Sequence, residues 1–321
     1  MNVFLFVLTN NIIPIFTVVA LGFLLGKKFN LDIGTISKMI FYVIIPCFVF
    51  VNIYKTEIHI DMMKVMLIAA TILLCNFLLS AFIAKIRGYD IGMKNAFANS
   101  IMFFNSANIG VPLITLVFSN EPFVINGETP YLSTAIAAQI MVMLFQNITI
   151  NTIGFINAGR ASTQWKDSLA KVLKMPIIYT IILAFIFKFS NYDLTKVPIW
   201  PSLNYCANAL VAVNLIALGV QLSKTNFSLK NKEVYLSCLV RLIIAPIMSV
   251  ILINMLQLKG IVAQVAMISA ALPTAVNTAL IAVEFDNYPD FASQTVMVST
   301  LLSAITLSFV IYFARVLFPV I

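Results

Sequence analysis

The chain has 321 residues, 61% of them hydrophobic and only 10% charged, with 20 Lys and Arg against 12 Asp and Glu for a net charge of +8. Soluble domains carry about 25% charged residues, so this composition excludes a soluble enzyme domain, a disordered chain and a coiled coil, and leaves a polytopic membrane protein. The basic residues fall between apolar runs, where they report topology and contact with anionic lipid headgroups rather than a nucleic-acid partner.

In chain order the apolar runs lie at roughly 3–26, 36–54, 64–85, 95–119, 132–157, 171–190, 204–224, 234–257, 261–284 and 292–318. A spanning helix needs roughly 20 apolar residues. A backbone in lipid must satisfy its own hydrogen bonds, and these runs are continuous rather than alternating, so helices are expected and barrel strands are not. The expected fold class is therefore an all-α polytopic membrane protein with ten transmembrane helices. The first run is no signal peptide: it has no Arg/Lys n-region, carries Asn10 and Asn11, and is too long for an h-region. Cys47, Cys75, Cys206 and Cys238 sit in or at the ends of apolar runs without a C-x-x-C pair. With His59 as the single histidine, no disulfide framework, metal centre or cofactor is expected. His59 itself reads as a solvated loop residue.

Orientation follows from the basic residues. The odd-numbered loops hold thirteen: Lys27, Lys28, Lys38, Lys85, Arg87, Lys94, Arg160, Lys166, Lys171, Lys174, Lys224, Lys230 and Lys232. The opposite side holds six: Lys55, Lys64, Lys188, Lys196, Lys259 and Arg315. The positive-inside rule places the odd loops in the cytoplasm and both termini outside, in a cell inner or plasma membrane.

Prolines mark a repeat. Pro14 and Pro176 are 162 residues apart, Pro112 and Pro273 are 161 apart, and Pro130 and Pro289 are 159 apart. The offset is half the chain and each half holds five spans, an odd number, so the second copy must insert upside down. That is an inverted-repeat transporter architecture. Its expected units are a first five-helix repeat at 1–157, a cytoplasmic linker at 158–170 and an inverted second repeat at 171–321.

In such folds the site lies where broken helices meet, at matching positions of the halves. Span four contains Asn99, Ser100, Asn105, Ser106, Asn108, Gly110 and Pro112, and span nine contains Ser269, Pro273, Thr274, Asn277 and Thr278. A mid-span proline removes a helix hydrogen bond and crowds the preceding turn. Unwinding there frees backbone N–H groups, and the new helix start favours an anion. No Asp or Glu falls mid-span, where a proton or cation site would require one. Arg241 is expected to snorkel to the cytoplasmic interface. In span five Gln139 and Gln146 are balanced between cavity and packing roles, whereas Asn147 and Asn151 read as packing. Asn52, Asn214 and Gln221 are weaker candidates.

Asn105-x-x-Asn108-Ile-Gly110-Val-Pro112 resembles the first crossover of the auxin efflux carrier family, which includes the plant PIN proteins. Ala270-Ala271-Leu272-Pro273, with Ala282-Val-Glu284-Phe and Pro289-Asp290, resembles the second crossover and the loop after it. Ile45-Pro46 and Leu218-Gly219 are similar too, so the likeness runs over nearly the whole chain. The resemblance implies ten spans in two inverted repeats, with helices four and nine crossing at their prolines. It also implies a scaffold of helices one, two, six and seven that forms a homodimer, with the other helices as a moving transport domain. Its members move organic anions: auxin in plants, malate- or malonate-like carboxylates in bacterial relatives. Asn105, Gly110, Pro112, Gln139 and Pro273 carry over; Asn108, Thr274 and Asn277 join them on polarity and position. The sequence departs from the plant pattern in its short central loop, in the uncharged stretch Ala69–Cys75, and after Pro273, which favours a bacterial-type member.

The function expected is secondary transport of a small organic anion. A channel or membrane receptor on the same scaffold is the alternative. An intramembrane enzyme is not expected, because no His-x-x-x-x-Asp, Gly-x-Ser-x-Gly or Glu-x-x-His falls on a span.

Overall fold

A computed structural model describes residues 3–55, 61–158, 176–190, 193–224 and 231–320. His59 and all of the expected linker except Ala158 lie outside the described residues. Those residues are helical apart from turns, short extended stretches and two isolated bridges. In order they form α1 (Leu5–Lys28), α2 (Ile33–Lys55), α3 (Met63–Arg87), α4 (Ile91–Met102), α5 (Ser106–Phe118), α6 (Leu132–Ala158), α7 (Pro176–Lys188), α8 (Trp200–Ser223), α9 (Lys232–Met255), α10 (Gly260–Ala270), α11 (Val276–Glu284) and α12 (Pro289–Leu317). Seven of these, α1, α2, α3, α6, α8, α9 and α12, are long and apolar enough to cross a membrane, and α5, α7 and α10 are shorter apolar helices.

Four of the long helices carry π-helical turns, at Leu8–Ile12, Ile40–Ile44, Ile150–Gly154 and Val240–Ile244, and the shorter α5 begins with one at Ser106–Gly110; in chain order there are five among the described residues. All but Ile150–Gly154 end two residues before a proline: Pro14, Pro46, Pro112 and Pro246. The cause is steric. A proline ring collides with the preceding turn and offers no N–H, and a turn widened by one residue accommodates both defects without ending the helix.

Polar side chains cap the starts of three helices. Asp32 caps α2, accepting from the Thr35 hydroxyl at 2.5 Å and from the amides of Gly34 and Thr35 at 3.1 Å. The Thr35 hydroxyl, then those amides, hold its carboxyl below the usual range. Asp90 and Asn231 cap α4 and α9 in the same way, through Met93 N–H at 2.8 Å and Glu233 N–H at 3.0 Å. Arg87 and Tyr89 both donate to Glu233, tying the end of α3 to the start of α9.

Helices α1 and α8 meet backbone to backbone. A Cβ on Gly22 would lie 2.3 Å from Ile216 O, and one on Gly219 would lie 2.1 Å from Val19 O. No side chain fits at either point, which is how small residues bring membrane helices together. Helix α2 packs on α7 and on the first half of α8, in a core that includes Val49, Ile53, Ile177, Ala184 and Ala207. A larger core joins α5, α6, α10 and α12 through residues such as Leu113, Ala138, Val265 and Ile311.

Candidate functional site at the helix crossover

Two interruptions meet inside the molecule. Helix α4 ends at Met102 and α5 begins at Ser106, while α10 ends at Ala270 and α11 begins at Val276. Phe104 and Thr274 form an antiparallel bridge between them. Asn105 N–H donates to Pro273 O at 2.8 Å and Ala275 N–H donates to Phe103 O at 3.0 Å. Each break thus supplies partners for backbone groups that the other sets free, as a buried backbone requires.

Pro273 lies in the second interruption, as expected. Pro112 does not lie in the first: the chain breaks seven residues earlier, and Pro112 sits in the first regular turn after the π turn Ser106–Gly110. That widened turn absorbs the ring, so no break is needed there. Asn105 makes the break. It has φ −78° and ψ 66°, and its Oδ1 accepts from Asn108 N–H at 3.1 Å as the N-cap of α5.

Beside the crossing lies a narrow cleft of about 30 Å³ lined by Phe41, Asn105, Ser106, Asn108, Gln146, Asn147 and Asn277, among others, with no charged side chain in its wall. That volume suits a water or two. Asn105 is 4% exposed and Gln146 is 2% exposed, yet Asn105 Nδ2 and Gln146 Nε2 have no hydrogen-bond partner. The acceptor end of Gln146 is used: its Oε1 accepts from Phe104 N–H at 3.2 Å. Asn108, Asn147 and Asn277 are half-buried in the same wall. The first turns of α5 and α11 begin here, and their amides carry a partial positive charge.

The other expected site residues have different places. Gln139 is spent on the frame: its Nε2 donates to Ser106 O at 2.9 Å, and Ser269 Oγ donates to its Oε1 at 2.6 Å. Gly110 makes room for it, since a Cβ there would lie 2.4 Å from Gln139 Nε2. Thr274 faces away from the cleft, its hydroxyl donating to Ser100 O at 2.8 Å and its N–H to Ser299 Oγ at 3.2 Å. Asn147, read as packing, instead lines the cleft, while Asn151 donates to Asn147 O within its own helix at 2.7 Å rather than to a neighbouring helix. Asn52 likewise bonds its own helix through Phe48 O, and Asn214 reaches Ala107 O at 3.3 Å.

Arg241 overturns its expectation. It does not snorkel to the interface but is wholly buried. Its Nε donates to Leu272 O at 3.1 Å, one terminal nitrogen donates to Ile101 O at 2.9 Å, and the other donates to Ala270 O. Its guanidinium carbon stands 4.8 Å from the centre of the Phe104 ring. The physical reason is the supply of acceptors. Carbonyls at the ends of α4 and α10 have lost their helical partners, and a planar fork of donors serves several at once.

Interrupted helices paired inside an apolar helical protein, around a polar cleft without charge, define a polytopic membrane transporter. The chain belongs to the membrane transport protein family, whose model matches residues 7–168 and 160–311. It is 24% identical over 307 residues to an uncharacterized transporter of Methanothermobacter thermautotrophicus, covering 93% of this chain and 96% of the relative. It is 22% identical over 282 residues to an uncharacterized transporter of Methanocaldococcus jannaschii, covering 85% and 87%. These matches agree with the likeness to auxin efflux carriers carried by the crossover residues, and they make the protein a transporter rather than an enzyme.

Proposed function

We propose that the protein is a secondary transporter that carries a small organic anion, a mono- or dicarboxylate, by alternating access through the crossover. One observation carries this reading: Asn105 Nδ2 and Gln146 Nε2 are buried donors without partners in the wall of one cleft. A buried unpartnered polar group costs about 1–3 kcal/mol. Two together, beside two helix starts, suit the carboxylate of an acceptor-rich ligand, for which the cleft of about 30 Å³ must widen and whose place a water takes when it leaves.

The ten-span reading adds to the seven long helices the broken pairs α4–α5 and α10–α11, together with α7. We read residues 1–157 and 171–321 as inverted repeats. Helices α1, α2, α7 and α8 would form the scaffold and homodimer contact, and the crossover would move against them. The close α1–α8 contact at Gly22 and Gly219 supports a rigid scaffold.

The test of transport is counterflow. Proteoliposomes preloaded with an unlabelled mono- or dicarboxylate, malonamate and malonate among them, should take up the same labelled compound transiently and saturably. A conductance without exchange would identify a channel instead, and binding without either flux would identify a receptor. Orientation is tested separately, with cysteines introduced at Thr163 and Val320 and an impermeant maleimide on whole cells. Labelling at Val320 alone is expected; labelling at Thr163 alone would reverse the topology.

A further inference from the structure

Arg241 is the largest fully buried side chain among the described residues, and it is a cation. Among the described residues no carboxylate pairs with it: the ion pairs seen there, Arg87–Glu233 and Lys196–Asp193 among them, do not involve Arg241. What faces it are carbonyls. Ile101 O belongs to the last turn of α4, Ala270 O is the last of α10, and Leu272 O follows directly in the interruption.

Each helix end carries roughly half an elementary charge, negative at the C-terminus and positive at the N-terminus. Two C-terminal ends and two N-terminal ends meet at this crossing. Left alone they would nearly cancel within a few ångströms, and the cleft would hold little net attraction for an anion. With the guanidinium bound to the C-terminal side, the negative ends are offset and the positive starts of α5 and α11 stand unopposed. Phe104 connects the two sides: its ring lies under the guanidinium, and its N–H is held by cleft residue Gln146.

We infer that Arg241 is the resident cation of the crossover, giving the cleft a net charge near +1 that suits one negative charge without a co-bound metal cation. This rests on the carboxylate reading of the cleft and narrows it to singly charged carboxylates. A dianion leaves the complex negative in a low-dielectric site, where desolvation rises with the square of the charge.

The test uses ligands of one skeleton and three charges: malonamide, malonamate and malonate, with the four-carbon succinate series beside them. Affinities for the purified protein are measured in sodium and in choline buffers. In the parent the half-amide should bind roughly tenfold or more tightly than the diamide or the dianion, equally in both buffers. Arg241→Lys should keep that order. Arg241→Gln should weaken the half-amide by about tenfold or more while leaving the neutral diamide nearly unchanged, a split that a purely structural role would not produce. Tightest binding of the dianion, a sodium requirement, or a folded Arg241→Gln protein with the parent's order would each overturn the inference. If Arg241→Gln does not fold, the parent and Arg241→Lys series still decide it. Binding of the dianions alone would leave the carboxylate reading standing and remove only the single-charge inference. Failure of every compound to bind the parent would overturn both.

Discussion

Gln139→Ala is expected to abolish transport and to lower the melting temperature of the detergent-solubilised protein. The amide is the cross-brace of the crossover, holding Ser106 O of α5 with one end and Ser269 Oγ of α10 with the other. Both partners are buried. Truncation leaves each without its bond, at about 1–3 kcal/mol apiece, and opens a gap beside Gly110 and Leu272, where a Gly110 Cβ would have met Gln139. Gln139→Met separates the two costs, since it fills the space and restores neither bond. It should melt above the alanine variant and still transport poorly. Parent-like melting and uptake of Gln139→Ala would show that the brace carries no weight, and would return Gln139 to the list of groups free to meet substrate.

The helical character of the chain was legible because lipid leaves the backbone so few choices: an apolar run of that length is a helix or it is not in the membrane. The polar cluster around Asn105 and Asn277 was legible for a related reason, since amides at mid-span are costly unless something uses them. Rotation about the helix axis was not legible. Residue counting puts Gln139, Gln146, Asn147 and Asn151 along one helix at known heights, but which of them meets the cleft depends on neighbours as far as 130 residues away in sequence. So Gln146 and Asn147 line the cleft while Gln139 braces the frame.

Arg241 illustrates the same limit. It lies seven residues beyond the start of the apolar run at 234, about 10 Å at 1.5 Å per residue, within reach of the interface, and the carbonyls freed by two distant breaks hold it inside. The prolines misdirect in a consistent way. Pro14, Pro46, Pro112 and Pro246 follow widened turns in continuous helices, and Pro273 alone of these five lies in an interruption. Of these five prolines, four therefore mark a π turn and one a break.

The largest effect on substrate is expected at Asn105, and the structure changes which substitution tests it best. Asn105→Ala removes a donor in the cleft wall, and a hydrogen bond to a charged group is worth about 1.5–3 kcal/mol, so affinity should fall roughly ten- to a hundredfold. The same change also deletes the N-cap of α5, at about 1 kcal/mol, so a loss of binding could be a loss of structure. Asn105→Asp keeps the cap, because a carboxylate oxygen can still accept from Asn108 N–H, which Asn105 Oδ1 now does at 3.1 Å. It replaces the unpartnered Nδ2 with a second acceptor bearing negative charge in the wall of the cleft. The folded protein should survive and anion binding should fall by roughly a hundredfold or more. Asn105→Ser, which caps but cannot reach as far, should lie between the parent and the aspartate variant. Asn151→Ala, whose amide bonds within its own helix, should bind as the parent does. A folded Asn105→Asp protein that binds a carboxylate as tightly as the parent would mean that the anion does not sit at this crossover.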